Sequence, residues 1–161
     1  MSVLASAEVT QLVTRHMLLV TDAGARGLPA VDSPELVLFG SGSLALRCGG
    51  SEMDATVTIE RHDTSPANHQ GPEWELASEG SLDLPTGNLA LGNIEGLLER
   101  FPDLGLYAGR WQIRLHVSGR ADAALLEDQL LEEAEASYDT IGLDLSPAEV
   151  GPEKWLIRLW P

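Results

Sequence analysis

Alternation of apolar and polar side chains at every second position dominates this chain. In Trp111-Gln112-Ile113-Arg114-Leu115-His116-Val117-Ser118, the residues Trp111, Ile113, Leu115 and Val117 share one side and their neighbours the other. A period of two means an extended strand with one dry and one wet face. Ala55, Val57 and Ile59 alternate with Thr56, Thr58 and Glu60 in the same way. Further strands are expected at 13–21, 35–39, 43–48, 74–78, 81–84, 88–91 and 155–160. Between them, at 23–33, 40–42, 63–72 and 85–87, lie clusters of Gly, Pro, Asn, Asp and Ser, the residues of turns. Many short strands at this spacing predict a mainly β chain, a single antiparallel β-sandwich domain over 1–161. Its expected core is Trp111, Ile113, Leu115, Val117, Val57, Ile59, Trp155, Ile157 and Leu159.

One segment has a different period. Ala123, Leu126, Leu130 and Ala134 recur at helical spacing, with Asp128, Glu132 and Glu135 on the opposite face. This predicts a short amphipathic helix, capped by Asp122, that lies on the sheet through Leu126 and Leu130. An acidic insertion without fixed structure is the alternative. Between residues 121 and 153 stand ten carboxylates and no Lys or Arg: Asp122, Glu127, Asp128, Glu132, Glu133, Glu135, Asp139, Asp144, Glu149 and Glu153. Glu132, Glu133 and Glu135 fall near the negative end of the helix dipole, which disfavours each by less than about 1 kcal/mol. Fold alone does not account for them. A solvated face that keeps the protein soluble is the plain reading, and an electrostatic docking face the functional one.

Composition narrows the function classes. A chain of 161 residues and 17.3 kDa suits one domain with a real core. A formal charge of −15 argues against nucleic acid and anionic membrane as partners, since phosphate needs clustered Lys and Arg. The single cysteine, Cys48, has no internal partner and is expected to be a small buried residue. No basic segment precedes an apolar run, and nothing approaches the ~20 apolar residues of a membrane span, so a cytoplasmic location is expected. The Arg, Ala, Leu and Gly usage is compatible with a bacterial genome of high GC content. Oligomeric state is not legible.

Candidate chemistry is sparse. Gly40-Ser41-Gly42-Ser43 has the look of a phosphate loop, but a strand rather than a helix follows it, so a hairpin turn is expected. His62, Asp63 and His69 share a loop without the spacing of a familiar zinc site. His16 and His116 lack a nucleophile at a recognisable spacing, and Glu73 and Glu75 share a strand face where carboxylates are usually solvated. No catalytic residue, metal site or cofactor is assigned, and catalysis is not expected. The segment 155–160 has one apolar face (Trp155, Ile157, Leu159) and one mixed face whose Arg158 and Trp160 are residue types favoured in binding hot spots. Its alternative reading is a strand buried on both sides, with Arg158 paired to an acid.

Three stretches carry a family likeness. Val13-Thr14-Arg15-His16-Met17-Leu18-Leu19-Val20-Thr21-Asp22 resembles a first strand, Leu106-Tyr107-Ala108-Gly109-Arg110-Trp111-Gln112-Ile113-Arg114-Leu115 a late strand, and Lys154-Trp155-Leu156-Ile157-Arg158-Leu159-Trp160-Pro161 a closing strand, of small bacterial β-sandwich proteins of the competence protein J type. Members of that type inhibit a DNA-entry nuclease. The resemblance implies a non-enzymatic sandwich with an inhibitory role. The acidic helix departs from the family pattern, and no family site residue is carried over.

Two functions are therefore expected to compete. One is a cytoplasmic inhibitor or immunity-type protein that binds a basic partner such as a nuclease or toxin, with Asp128, Glu132, Glu135, Arg158 and Trp160 as candidate contacts. The other is a small-molecule-binding or enzymatic sandwich with its site in loops 23–33 and 63–72.

Overall fold

A computed structural model describes residues 3–25, 27–30, 32–67, 71–96, 99–100 (backbone only), 104–136 and 150–161. The strands are β1 (Val3–Val13), β2 (Met17–Asp22), β3 (Val37–Gly40), β4 (Ser43–Arg47), β5 (Met53–His62), β6 (Glu75–Leu84), β7 (Leu89–Gly92), β8 (Glu99–Arg100), β9 (Gly109–Ser118) and β10 (Val150–Trp160). Among the described residues one α-helix, α1 (Arg120–Ala136), stands between β9 and β10. They form two five-stranded sheets, ordered β1-β5-β10-β9-β6 and β3-β4-β2-β7-β8. The mainly β sandwich expected from the alternation is what the chain forms. Pairing is antiparallel except between β5 and β10, which run parallel in the middle of the first sheet.

The two sheets close on one apolar cluster. Val57, Ile59, Trp111, Ile113, Leu115, Val117, Trp155, Ile157 and Leu159 enter it from the first sheet, Leu18, Val20, Leu44, Leu46 and Leu91 from the second. Every expected core residue is buried. The Trp111 indole N–H donates to the Tyr107 carbonyl at 3.0 Å, so burying this ring leaves no polar atom stranded. A smaller cluster of Met17, Leu19, Leu38 and Ala45 lies on the opposite side of β2, β3 and β4.

Strand boundaries differ from the sequence pattern at residues 13–21 and 74–84, while the hairpin turn expected after Phe39 is present. Residues 13–21 are not one strand: β1 ends at Val13, and Arg15 and His16, both at positive φ (52° and 60°), turn the chain back into β2. Such a turn normally advertises itself with Asn-Gly, and Arg-His gives no such signal. Residues 75–78 and 81–84, expected as parts of two strands, belong to the single strand β6, and Gly80 is not a turn: a Cβ there would stand 3.1 Å from the Phe39 ring. The segment 40–43 is a hairpin turn between β3 and β4, with Gly42 at φ 76°.

Asp22 ties the end of β2 to the β6–β7 connection. Its buried carboxylate accepts bonds from Gly24 N–H (2.7 Å), Thr86 Oγ1–H (2.8 Å), Thr86 N–H (3.1 Å) and Gly87 N–H (2.8 Å). Burial works to raise this carboxyl, but the convergent donors outweigh it and hold Asp22 below its ordinary value.

Candidate interaction surface

The acidic helix begins where β9 meets β10. Gly119 adopts φ 71°, and any Cβ on it would run into the Pro152 carbonyl, so only glycine lets the chain turn here. Its carbonyl accepts the Ala123 N–H at 2.9 Å, which makes Gly119 the capping position. Asp122 therefore sits inside the first turn, where its charge favours the dipole, and is not the cap expected from the sequence. Arg120 Nε donates to the Arg47 carbonyl at 3.1 Å, and Gly49 packs against the Arg120 backbone where a side chain would not fit.

Beyond this root the helix leaves the sandwich. Ala123 is its one buried residue, Leu126 is half-buried, and Leu125, Leu130 and Leu131 are 60%, 47% and 56% exposed. The seat expected through Leu130 is not made. At about 100° per residue, the four leucines spread around most of the circumference, so they make no single stripe to lay on a sheet. The carboxylates are better ordered: Asp128, Glu132 and Glu135 fall within about 60° of one another on that geometry. All three are exposed, as is Glu133, and the last turn carries no basic residue. Glu127 points elsewhere, with Oε1 3.4 Å from His16 Nε2 on the β1–β2 turn.

Glu153, the last carboxylate of the acidic run, is no part of that surface. It is 2% exposed, its Oε2 accepts Gly49 N–H at 2.9 Å, and its Oε1 accepts the Trp155 indole N–H at 3.0 Å. Burial raises its carboxyl above the usual range, against the pull of these donors and of Arg120. Burial, and next the neighbouring Glu153, push the Cys48 thiol well up. A protonated, enclosed thiol is no nucleophile. Asp139, Asp144 and Glu149 lie outside the described residues.

Arg158 and Trp160 lie elsewhere. Trp160 pairs with Gln112 and Lys154 with Ser118, so Trp160 sits six residues along β10 from the helix end, about 20 Å at strand rise. Arg158 is 2% exposed; its Nη2 stands 3.4 Å from His116 Nδ1, and its Nε has no partner. Burial, then the Arg114 charge, lower its pKa, with Glu60 opposing them. The cation over the Trp160 ring is Arg114, at 5.1 Å, whose Nε donates to Glu79 Oε1 at 2.6 Å and Nη1 to the Pro66 carbonyl at 2.5 Å. A shallow cavity of about 280 Å³ opens beside Arg114, Glu79, Gln112 and Trp160. Arg158 and Trp160 share a strand face by spacing, but the cation over the ring is Arg114, opposite Arg158 on β9 and diagonal to Trp160.

The remaining candidates stay apart. His62 Nε2 is 2.8 Å from Glu60 Oε2, while His69 lies outside the described residues. Among the described residues no three His, Cys, Asp or Glu side chains converge on a metal-sized site, and no helix is long and apolar enough to cross a membrane. Glu73 and Glu75, both exposed, line a second cavity of about 280 Å³ with Arg120 and Asp122, beside the first turn of α1.

No family model matches this sequence, and neither does any curated protein. Two solved structures match over nearly the whole chain. One is described as crocagin biosynthetic gene J, at 20% identity and a TM-score of 0.57, covering 98% of this chain and 97% of that one. The other is ComJ of Bacillus subtilis, described as the inhibitor of the DNA degrading activity of NucA, at 9% identity and a TM-score of 0.56, covering 99% and 96%. At these identities the likeness lies in the fold. The competence-J resemblance drawn from three stretches of sequence is thus matched by the architecture of the whole sandwich.

Proposed function

We propose that this protein is a non-enzymatic interaction protein of the inhibitor or immunity type, and that α1 presents its docking face to a basic partner. The observation that carries this is the helix itself: rooted through Ala123, it projects exposed leucines beside the ordered carboxylates Asp128, Glu132 and Glu135. A helix serving only the fold would bury those leucines. A solubilising tail would not need them. Carboxylates flanked by exposed leucines fit a partner surface where Lys or Arg stand beside apolar pockets, with charge setting the encounter rate and leucine burial the residence time.

A nuclease or nucleic-acid-directed toxin is the partner class we favour. Its substrate-binding cleft is basic, and an acidic protein competes there for the place of phosphate. The shared architecture with ComJ supports an inhibitory role of this kind. Trp160, at its shallow cavity and under the Arg114 guanidinium, is the second candidate contact; Arg158, being buried, is set aside as a direct one.

The test is affinity capture from the native host, followed by association kinetics with the captured protein. Asp128→Asn, Glu132→Gln and Glu135→Gln together should slow association several-fold at low salt, and added salt should erase the difference. Equal rates at low salt, or a captured partner without a basic surface, would sink the proposal.

A further inference from the structure

The first sheet has two long edges, and they are treated differently. β6 carries Glu75, Glu79 and Asp83, and its register breaks between Leu76 and Ser78. Charges and irregularity of this kind are how proteins keep an edge from pairing. β1 is eleven residues long with one charge, Glu8, and no proline; its only register break lies at the Val3 end. In a chain of net charge −15 such an edge stands out.

Backbone groups define what fits it. The Val13 carbonyl accepts Glu52 N–H just ahead of β5 while the Leu12 carbonyl turns away, so by strand alternation the odd-numbered residues from Ala5 on face β5 and the even-numbered ones face outward. The Leu12 carbonyl, on the outward side, is taken by Asn93 Nδ2 at 3.0 Å. Ser6, Glu8 and Thr10 are exposed, and among the described residues no strand pairs with this side. Ala5, Ala7 and Val9 pack partly buried against the core, so a further strand would complete their cover.

We propose that β1 pairs antiparallel with β1 of a second copy, about a two-fold axis at Ala7, joining two five-stranded sheets into one. In this register Ser6 faces Glu8 of the second copy and Glu8 faces its Ser6, so the only charges on the edge are not directly opposed and stand diagonally, about 7–8 Å apart. The outward pairs coincide on both sides, Ala7 lies against Ala7 of the second copy, and Ala5 lies against its Val9. A foreign strand would have to supply this match; a second copy carries it by symmetry. Strand pairing alone buries less than the roughly 1,200 Å² of a lasting complex, so the dimer is a reversible one. Net charge opposes it, and salt favours it.

Sedimentation equilibrium of the purified full chain over a concentration series, at low and high salt, tests this. The expected result is a monomer–dimer equilibrium that tightens with salt. Ser6→Lys, which sets two Lys–Glu pairs across the axis, should tighten it several-fold. Ser6→Glu, which sets two Glu–Glu pairs there, should weaken it at least tenfold. Thr10→Pro removes an outward N–H without touching β5 and should weaken it too. Circular dichroism checks that each variant keeps the sandwich. A monomer up to millimolar concentration at high salt, or a dimer indifferent to Ser6→Glu and Thr10→Pro, overturns the proposal.

Discussion

Replacing Asp22 by Asn changes one atom and should cost a large share of the stability. Oδ1 accepts Gly24 N–H and Thr86 Oγ1–H, while Oδ2 accepts Gly87 N–H, with Thr86 N–H shared between them. An amide keeps only one oxygen, so its NH2 must face a donor, and the milder choice puts it against Gly87 N–H. One charge-assisted bond of about 1.5–3 kcal/mol is lost and a buried N–H is left without an acceptor. We expect a loss of about 2–4 kcal/mol at neutral pH, measured as the shift in urea midpoint. The pH dependence gives an independent check. Asp22 is held below its ordinary value in the folded state, so its contribution is full above the unfolded pKa and fades as pH falls through the folded one. The gap between wild type and Asp22→Asn should therefore shrink in that acid window, where both side chains are neutral. A variant within about 0.5 kcal/mol of wild type at pH 7, the range of an ordinary surface substitution, would refute the reasoning. So would a gap that persists undiminished in acid.

Two further outcomes follow from the core. Trp111→Ala should lower stability by about 3–5 kcal/mol in the same denaturation assay, since the ring is fully buried. In a carboxyl-carbon NMR titration, Glu153 should titrate above the usual glutamate range and Asp22 below the usual aspartate range. Because the Glu153 pKa is raised on folding, its contribution to stability declines as pH climbs from the unfolded value to the folded one, opposite in sense to that of Asp22.

How much of this was legible depends on whether one residue type had one physical reason to be where it is. β5 and β9 were plain because one side of each strand meets the core and the other does not, so the period of two survives in the sequence. β1 was missed over most of its length: its Ala, Ser and Thr positions at the sheet edge are only half-covered and leave faint contrast. The expected strands stopped short of Glu79 and Gly80, but Gly80 is small to admit Phe39, and no local pattern records a ring arriving from another sheet. At the site, the charge of the helix was visible and its posture was not. Leu126 and Leu130 have packing spacing, yet the root at Gly119 and Arg120 aims the helix away from the sheet, and that direction is a tertiary fact. Glu153 was indistinguishable in composition from its acidic neighbours; only the Gly49 amide and the Trp155 indole make it an interior residue.

The parallel pairing at the middle of the first sheet sets an order for synthesis. β10 is the last strand made among those described, yet it is the third of five across the sheet, between β5 and β9. A nascent chain that has delivered β9 thus holds two partial sheets, β1–β5 and β9–β6, each with a bare inner edge and nothing between them. Trp155, Ile157 and Leu159 complete the apolar layer only when β10 slides into that slot. Until then both inner edges are open to any passing strand, so the sheet is most prone to stray pairing in the interval before β10 clears the ribosome.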